Sequence, residues 1–422
     1  MNRPALALLL LALPCAAQPP APSVEARLAA LEARVQALAE ENTALRSALA
    51  AGKTPASTPA APVTAPEVAA KAPAPFTITP TGHEMKLAIG GFIQAQADFG
   101  GAPDPRWAGV RDRIYFRRTR LTVSGAFAEN FDFRIDADFS GNSLAATTGL
   151  RAQANDISIG WTKYPEATVR VGYPKPAFSA EVLASDGKTL TIERSLGSDR
   201  LVDGRQPGVT LAGESPGKRL GYLFTTTNGN SGASSLNDDS RFAHSLRVYG
   251  VPLATTGGAW PTTLTLGANA FASHDTAAVS RSGFGLTTTP PAVDNVFAGR
   301  RRLTGFDTRL DSGPLSLEAE WIGGSFEPTN RIPSPRLAAD AWHATAAWML
   351  VPAKLQAVLS RSHFDPNRDR PTDATETWLA GVTWFLKGDD LKFILNYLFR
   401  DSSSAHAVND HGRLITRMQI IY

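Results

Sequence analysis

The stretch Phe131-Asp132-Phe133-Arg134-Ile135-Asp136-Ala137-Asp138-Phe139 decides the fold. Phe131, Phe133, Ile135, Ala137 and Phe139 alternate with Asp132, Arg134, Asp136 and Asp138. Successive side chains of a strand point to opposite faces, so this segment is apolar on one side and charged on the other. Such a strand separates an apolar phase from water. The same period recurs at Ile157, Ile159 and Trp161, at Val169, Val171 and Tyr173, and at Leu315, Leu317, Ala319 and Trp321. It continues in Trp342–Leu350, Trp378–Trp384, Phe393–Phe399 and Leu414–Tyr422.

Sixteen candidate strands follow from this rhythm: 86–99, 113–127, 131–139, 154–163, 168–173, 206–213, 218–227, 241–251, 262–272, 304–310, 315–322, 341–350, 355–362, 376–385, 391–400 and 413–422. Their connections alternate in length. Ala128–Asn130, Tyr164–Ala167, Asp311–Pro314, Val351–Lys354 and Leu386–Asp390 are short, whereas Gly100–Asp112, Ser140–Gln153, Pro174–Arg205, Ser273–Leu303, Gly323–Asp340, His363–Thr375 and Asp401–Gly412 are long. Short turns on one side and long loops on the other mark an outer-membrane barrel. A bilayer leaves no strand edge unpaired, so the sheet must close. The expected fold is all-β, a transmembrane antiparallel barrel of sixteen strands over residues 81–422. Aromatic residues near strand ends (Trp161, Trp321, Trp342, Trp348, Trp378, Trp384) fit interfacial girdles, and the C-terminal Tyr422 resembles the terminal signal of outer-membrane strands.

The rest of the chain agrees with that compartment. Residues 1–17 read as an export signal, with Arg3, an apolar run to Leu13 and small residues before Gln18. The one cysteine, Cys15, lies inside it, which leaves the mature chain without a disulfide framework or thiolate metal site. In residues 18–50, Val24, Leu28, Leu31, Val35, Leu38, Asn42, Leu45 and Leu49 form a heptad seam, the pattern of a short coiled coil. Residues 51–80 are rich in Pro and Ala and read as an extended linker. An even number of strands puts both barrel ends, and therefore the coil, in the periplasm. Lys+Arg 42 against Asp+Glu 39 gives a net charge of +3, too balanced for a nucleic-acid binder.

With the apolar face outward, the polar face lines a lumen. Arg118, Arg120, Asp132, Arg134, Asp136, Asp138, Asp156, Arg170, Arg309, Glu318, Glu320 and Arg417 are the candidate lining residues. Strict alternation cannot place Arg117, Arg118 and Arg120 on one face; a bulge would resolve this. Arginines in a narrow aqueous passage favour anions, because the guanidinium fork matches phosphate oxygens. The long Pro174–Arg205 segment carries Lys175, Lys188, Arg194, Arg200 and Arg205, further candidates for selectivity, and its Phe178, Val182, Leu183 and Leu190 favour packing inside the barrel.

Several runs resemble the phosphate-selective porin O and P family. They are Leu87–Ala95, Phe116–Leu121 followed by Gly125, Phe131–Phe139, Val171–Phe178 with Glu181, Ile192-Glu193-Arg194, and Arg205–Val209. The resemblance implies a homotrimeric channel of sixteen-stranded barrels in the outer-membrane lipid, passing phosphate, polyphosphate, chloride or other small anions. It also implies a constriction built by the Pro174–Arg205 loop. Family members use lysines there with an arginine ladder leading to them; here Lys175 and Lys188 are the only lysines of the loop. The alternatives are a non-specific or sugar porin, and a barrel-anchored tether to the cell wall. No cofactor is expected. No HExxH, GxSxG or P-loop spacing points to a metal enzyme or hydrolase. Asp365–Glu376 has oxygen ligands at calcium-loop spacing, but Arg370 stands where that loop needs glycine, so it reads as a solvated loop.

Overall fold

A computed structural model describes residues 86–140, 150–229, 239–257, 260–275, 298–329, 336–369, 373–401 and 412–422, with Gln36, 76–78, Leu144 and Asn237. The expected signal peptide, the coil apart from Gln36, and the linker apart from 76–78 lie outside the described residues.

The strands are β1 (Phe76–Ile78), β2 (Lys86–Gly100), β3 (Arg113–Phe127), β4 (Phe131–Asp138), β5 (Gln153–Trp161), β6 (Thr168–Gly172), β7 (Gly208–Glu214), β8 (Leu220–Thr227) and β9 (Ala243–Thr255). They continue as β10 (Thr262–Asp275), β11 (Gly299–Ser312), β12 (Leu315–Pro328), β13 (Leu337–Val351), β14 (Leu355–Asp365), β15 (Thr375–Lys387), β16 (Leu391–Arg400) and β17 (Arg413–Ile421). Every neighbouring pair is antiparallel. β17 returns to β2 with Arg413 opposite Gly100 and Ile421 opposite Phe92, which closes a barrel of sixteen strands, β2–β17. β1 adds three residues against the foot of β2, Phe76 opposite Ile89. Closure removes every edge, as hydrocarbon surroundings require.

The alternation read from Phe131–Phe139 holds around the ring. Ile135, Ile157, Ile159, Leu246, Val248, Phe306, Trp321, Leu359, Phe393 and Met418 are exposed on the outside. Their polar neighbours in sequence turn inward and are buried. Trp348 and Trp384 lie towards the short turns on the outer face; Trp321, Trp342 and Trp378 lie towards the long loops.

The bulge on β3 settles the arginine parity. Gln94 pairs with Arg118 and Ala95 with Phe116, so Arg117 is the extra residue. One added residue shifts the alternation by one. Arg117, Arg118 and Arg120 therefore all face inward, at 7%, 5% and 6% exposure.

The core lies inside the barrel. The segment 173–207 between β6 and β7 folds into the lumen, and its Phe178, Val182, Leu196, Leu201 and Val202 pack on the inward faces of β9–β14 through Ala243, Phe271, Leu303, Ile322, Phe326, Leu337, Ala339, Ala341 and Phe364. Burying a side chain the size of Phe178 contributes roughly 1.5–3 kcal/mol. Further along, Leu190 and Ile192 join Trp107 of the 101–112 loop against Ala347, Val358, Leu379, Ile394, Leu398 and Ile415. Two glycines permit the close approach. A Cβ on Gly197 would lie 2.1 Å from the Ala341 Cβ, and one on Gly305 would lie 3.1 Å from the Phe178 ring.

Candidate functional site

The inward segment is built from two short helical turns. Ser179 caps Ala180–Leu183, its Oγ accepting from the Val182 amide at 3.1 Å, and Ser195 caps Leu196–Leu201. Ser179 takes a left-handed φ of 70°, uncommon for a residue with a side chain. Its surroundings hold it there: the hydroxyl donates to Glu320 Oε2 at 3.0 Å, and the amide donates to Asn269 Oδ1 at 3.3 Å.

Ion pairs fasten this loop to opposite walls. On the β2–β3–β17 side, Glu193 accepts from Arg117 Nε at 2.8 Å and from Arg417. Asp186 is shared by three guanidiniums: Arg118 at 3.3 Å, Arg120 at 2.8 Å and Arg194 at 2.5 Å. Backbone contacts reinforce the seat, with Lys392 Nζ donating to the Gly187 carbonyl at 2.7 Å and the Ile192 amide donating to Asn396 Oδ1 at 2.9 Å. On the β11 side, Asp203 takes a bidentate fork from Arg301 at 2.8 and 2.7 Å, and Asp275 lies 3.4 Å from the same guanidinium. All three side chains are shut off from solvent. Near β12 and β13, Glu181 lies 3.6 Å from His343 and accepts from Ser195 Oγ at 2.6 Å.

These contacts sort the residues picked from the sequence. Arg118 and Arg120 sit behind the loop as its anchors, paired with Asp186, and Arg120 also with Asp138 at 3.0 Å. The side chains of Arg134 and Arg170 keep 32% and 30% of their surface open to the lumen; Arg194 and Arg205 keep 21% and 20%. Arg170 grips Asp132 bidentately at 2.7 and 2.8 Å, and Arg205 has Asp156 at 3.6 Å. Lys175 is half-buried and donates to the carbonyls of Val182 and Ala184 at 2.6 and 3.1 Å. Lys188 is exposed, and Arg200 is half-buried in the second helical turn.

Around the eyelet, Arg117, Arg118, Arg120, Lys175, Arg194 and Arg417 face Asp136, Asp138, Asp186 and Glu193 among the described residues. Burial and then the neighbouring Arg194 push the Lys175 ammonium well below its ordinary value. Across the lumen, Glu181, Glu318 and Glu320 gather around His343. The passage therefore has one basic wall and one acidic wall.

Burial alone would raise the Glu193 and Asp186 carboxyls. Arg117 and Arg417 on the first, and Arg118, Arg194 and Arg120 on the second, outweigh it and hold both well below the usual carboxylate range. A depressed carboxylate stabilises the seated loop above its unanchored value, about 4, and loses that contribution only as the pH falls through its lower, anchored value. Side-chain carboxyl NMR is expected to show Asp186 and Glu193 ionised throughout pH 4 to 7; a midpoint above 4 for either would contradict the anchoring.

Sequence reasoning missed Arg301 and Asp275 and the anchoring role of Asp203, Glu193 and Asp186. Arg301 fell within a stretch read as loop, because Arg300-Arg301-Arg302 offers no apolar face. Among the described residues, one group places three ligand-type atoms within 4.8 Å of one another, Asp340, His363 and Asp365. Arg368 already lies 3.3 Å from Asp340, and Glu376 lies 3.5 Å from His363, so these side chains have partners within the chain.

The model of one family, phosphate-selective porin O and P, matches residues 91–422. No match was found among curated proteins. Solved structures share the barrel at low identity. OmpT of Vibrio cholerae is 11% identical over 82% of this chain and 100% of its own, with a TM-score of 0.53. The outer-membrane channel DcaP of Acinetobacter baumannii is 11% identical over 82% and 99%, with a TM-score of 0.54. The anion-selective porin from Comamonas acidovorans is 11% identical over 80% and 100%, with a TM-score of 0.52. A closed sixteen-stranded barrel with a loop folded into its lumen, together with a family match that runs to the last residue, makes this an outer-membrane channel, and the chain belongs to the phosphate-selective porin O and P family.

Proposed function

We propose that the channel passes small anions by passive diffusion, phosphate or polyphosphate among them, through the gap between the inward loop and the barrel wall. The observation that carries this reading is the set of guanidiniums open to the lumen, Arg134, Arg170, Arg194 and Arg205, backed by the buried Arg117, Arg118, Arg120 and Arg417, with Lys175 held by carbonyls. Arg134, Arg170, Arg194 and Arg205 extend the basic surface into water. Their carboxylate partners position the guanidiniums and leave further donors for a passing anion. Phosphate as a permeant and a homotrimeric assembly in outer-membrane lipid rest on family membership. The N-terminal coil, read from its heptads, stands in the periplasm.

Competition in a planar bilayer tests this. Millimolar inorganic phosphate or polyphosphate is expected to lower the chloride current by occupying the basic wall, while maltose at the same concentration leaves it unchanged. Block by the sugar and not by phosphate would favour a neutral-solute porin.

A further inference from the structure

The outer face of the barrel carries arginines that a channel for anions does not use. Arg300, Arg302 and Arg336 are exposed at the loop end of β11–β13. They point away from the lumen, since Arg301, Leu303, Phe326 and Leu337 occupy the alternate, inward positions and are buried. Arg302 stands directly opposite Ser325 in the ladder, which brings their Cβ atoms to about 5 Å. The Ser325 hydroxyl accepts from Arg336 Nε at 2.8 Å. Arg302 and Arg336 thus flank Ser325 on the outer face, and Arg302 has neither an ion pair nor a hydrogen-bonding partner for its guanidinium among the described residues. Arg300, one dyad further out, has Glu327 at 3.5 Å, and Arg368 of the next strand pair is taken up by Asp340 at 3.3 Å.

The level of the cluster in the membrane identifies its occupant. Two dyads below Arg302 on the same face lies Phe306, stacked on Trp321 at 6.2 Å, and Trp321 pairs in the ladder with Trp342. Such a girdle marks the edge of the hydrocarbon. Arg302 and Arg336 therefore stand among lipid headgroups of the outer leaflet, facing lipid and not the pore.

We infer that Arg302 and Arg336, flanked by Arg300, form a site for the phosphate of an outer-leaflet lipid headgroup on the external wall of the barrel. Like charges placed side by side favour a shared anion, and guanidinium forks suit phosphate oxygens. The fit is to a phosphorylated glycolipid whose acyl chains lie along the Phe306–Trp321–Trp342 surface beneath.

The test uses the full chain in detergent with bisphosphorylated lipid A, the same lipid with its phosphates removed, and inorganic phosphate as probes, read by native mass spectrometry. The phosphorylated lipid is expected to stay bound, and the dephosphorylated one to be lost. Arg302→Ala/Arg336→Ala should weaken retention at least tenfold, while Arg302→Lys should keep part of it. Chloride conductance of the double variant, expected to be unchanged, confirms that the barrel is intact. Equal retention of the two lipids, or unchanged binding to the double variant, would overturn the inference. Displacement of the lipid by low-millimolar inorganic phosphate would also overturn it, by assigning the site to a free anion.

Discussion

Glu193→Ala is expected to give a channel that conducts more and holds its loop less firmly. Glu193 is the carboxylate shared by Arg117 and Arg417, which are 7% and 1% exposed. Truncating it leaves two buried guanidiniums without their acid. Removing one partner of a buried pair costs about 3–5 kcal/mol, most of it from the charge left uncompensated. The barrel strands cannot move to relieve this, because each is held by ladder hydrogen bonds on both sides. The loop can, and it is the element expected to shift. A change of that size moves the seated-to-unseated ratio by about two to four orders of magnitude. Single-channel recordings should show a larger and noisier open level, and limited proteolysis should cut within 186–195. Glu193→Gln, which keeps the shape and drops the charge, should fall between the two. A wild-type conductance in Glu193→Ala would mean that the hydrophobic seat of Phe178, Leu196 and Leu201 alone fixes the loop.

Replacing Lys175, Arg194 and Arg205 together by Glu is expected to lower the chloride-to-potassium permeability ratio by about tenfold or more. Each arginine change moves the local charge by two, and the Lys175 change adds a carboxylate beside them. A unit charge about 5 Å from a permeating ion is worth roughly 0.8 kcal/mol in water. Salt near 0.1 M reduces the effect of the more distant groups. Lys175→Glu alone is the cleanest variant, because Arg194 also bonds Asp186 and its loss disturbs the anchor. The ratio is read from the reversal potential under a salt gradient. A ratio unchanged by the triple replacement would remove the loop from selectivity and leave the work to Arg134 and Arg170 on the wall.

The barrel was legible because a membrane strand advertises itself. Outward positions must be apolar and inward ones polar over about ten residues, and Phe131–Phe139 meets that demand without exception. The pattern failed where its cause stops acting. Gly299–Leu303 rises beyond the lipid band, so its outward residues are arginines, and the observed β11 begins five residues before the expected start at 304. The bulge at Arg117 could be named but not placed, since parity alone does not say which arginine is extra.

The anchors were the least visible part of the site. The Glu193–Arg417 pair spans 224 residues and the Arg301–Asp203 pair 98. Nothing local in the sequence distinguishes an acid that locks a loop from one that faces water. Arg118 and Arg120 show the cost of that blindness: the sequence named them beside Arg134, Arg170, Arg194 and Arg205, with nothing to tell the two that pair with the loop's Asp186 behind it from the four that keep surface open to the lumen.

The most direct test of the basic eyelet is the reversal potential of the wild-type channel in a planar bilayer under a tenfold potassium chloride gradient. The account predicts a voltage of the sign set by chloride flux. A reversal potential of the potassium sign, or one at zero, would contradict it.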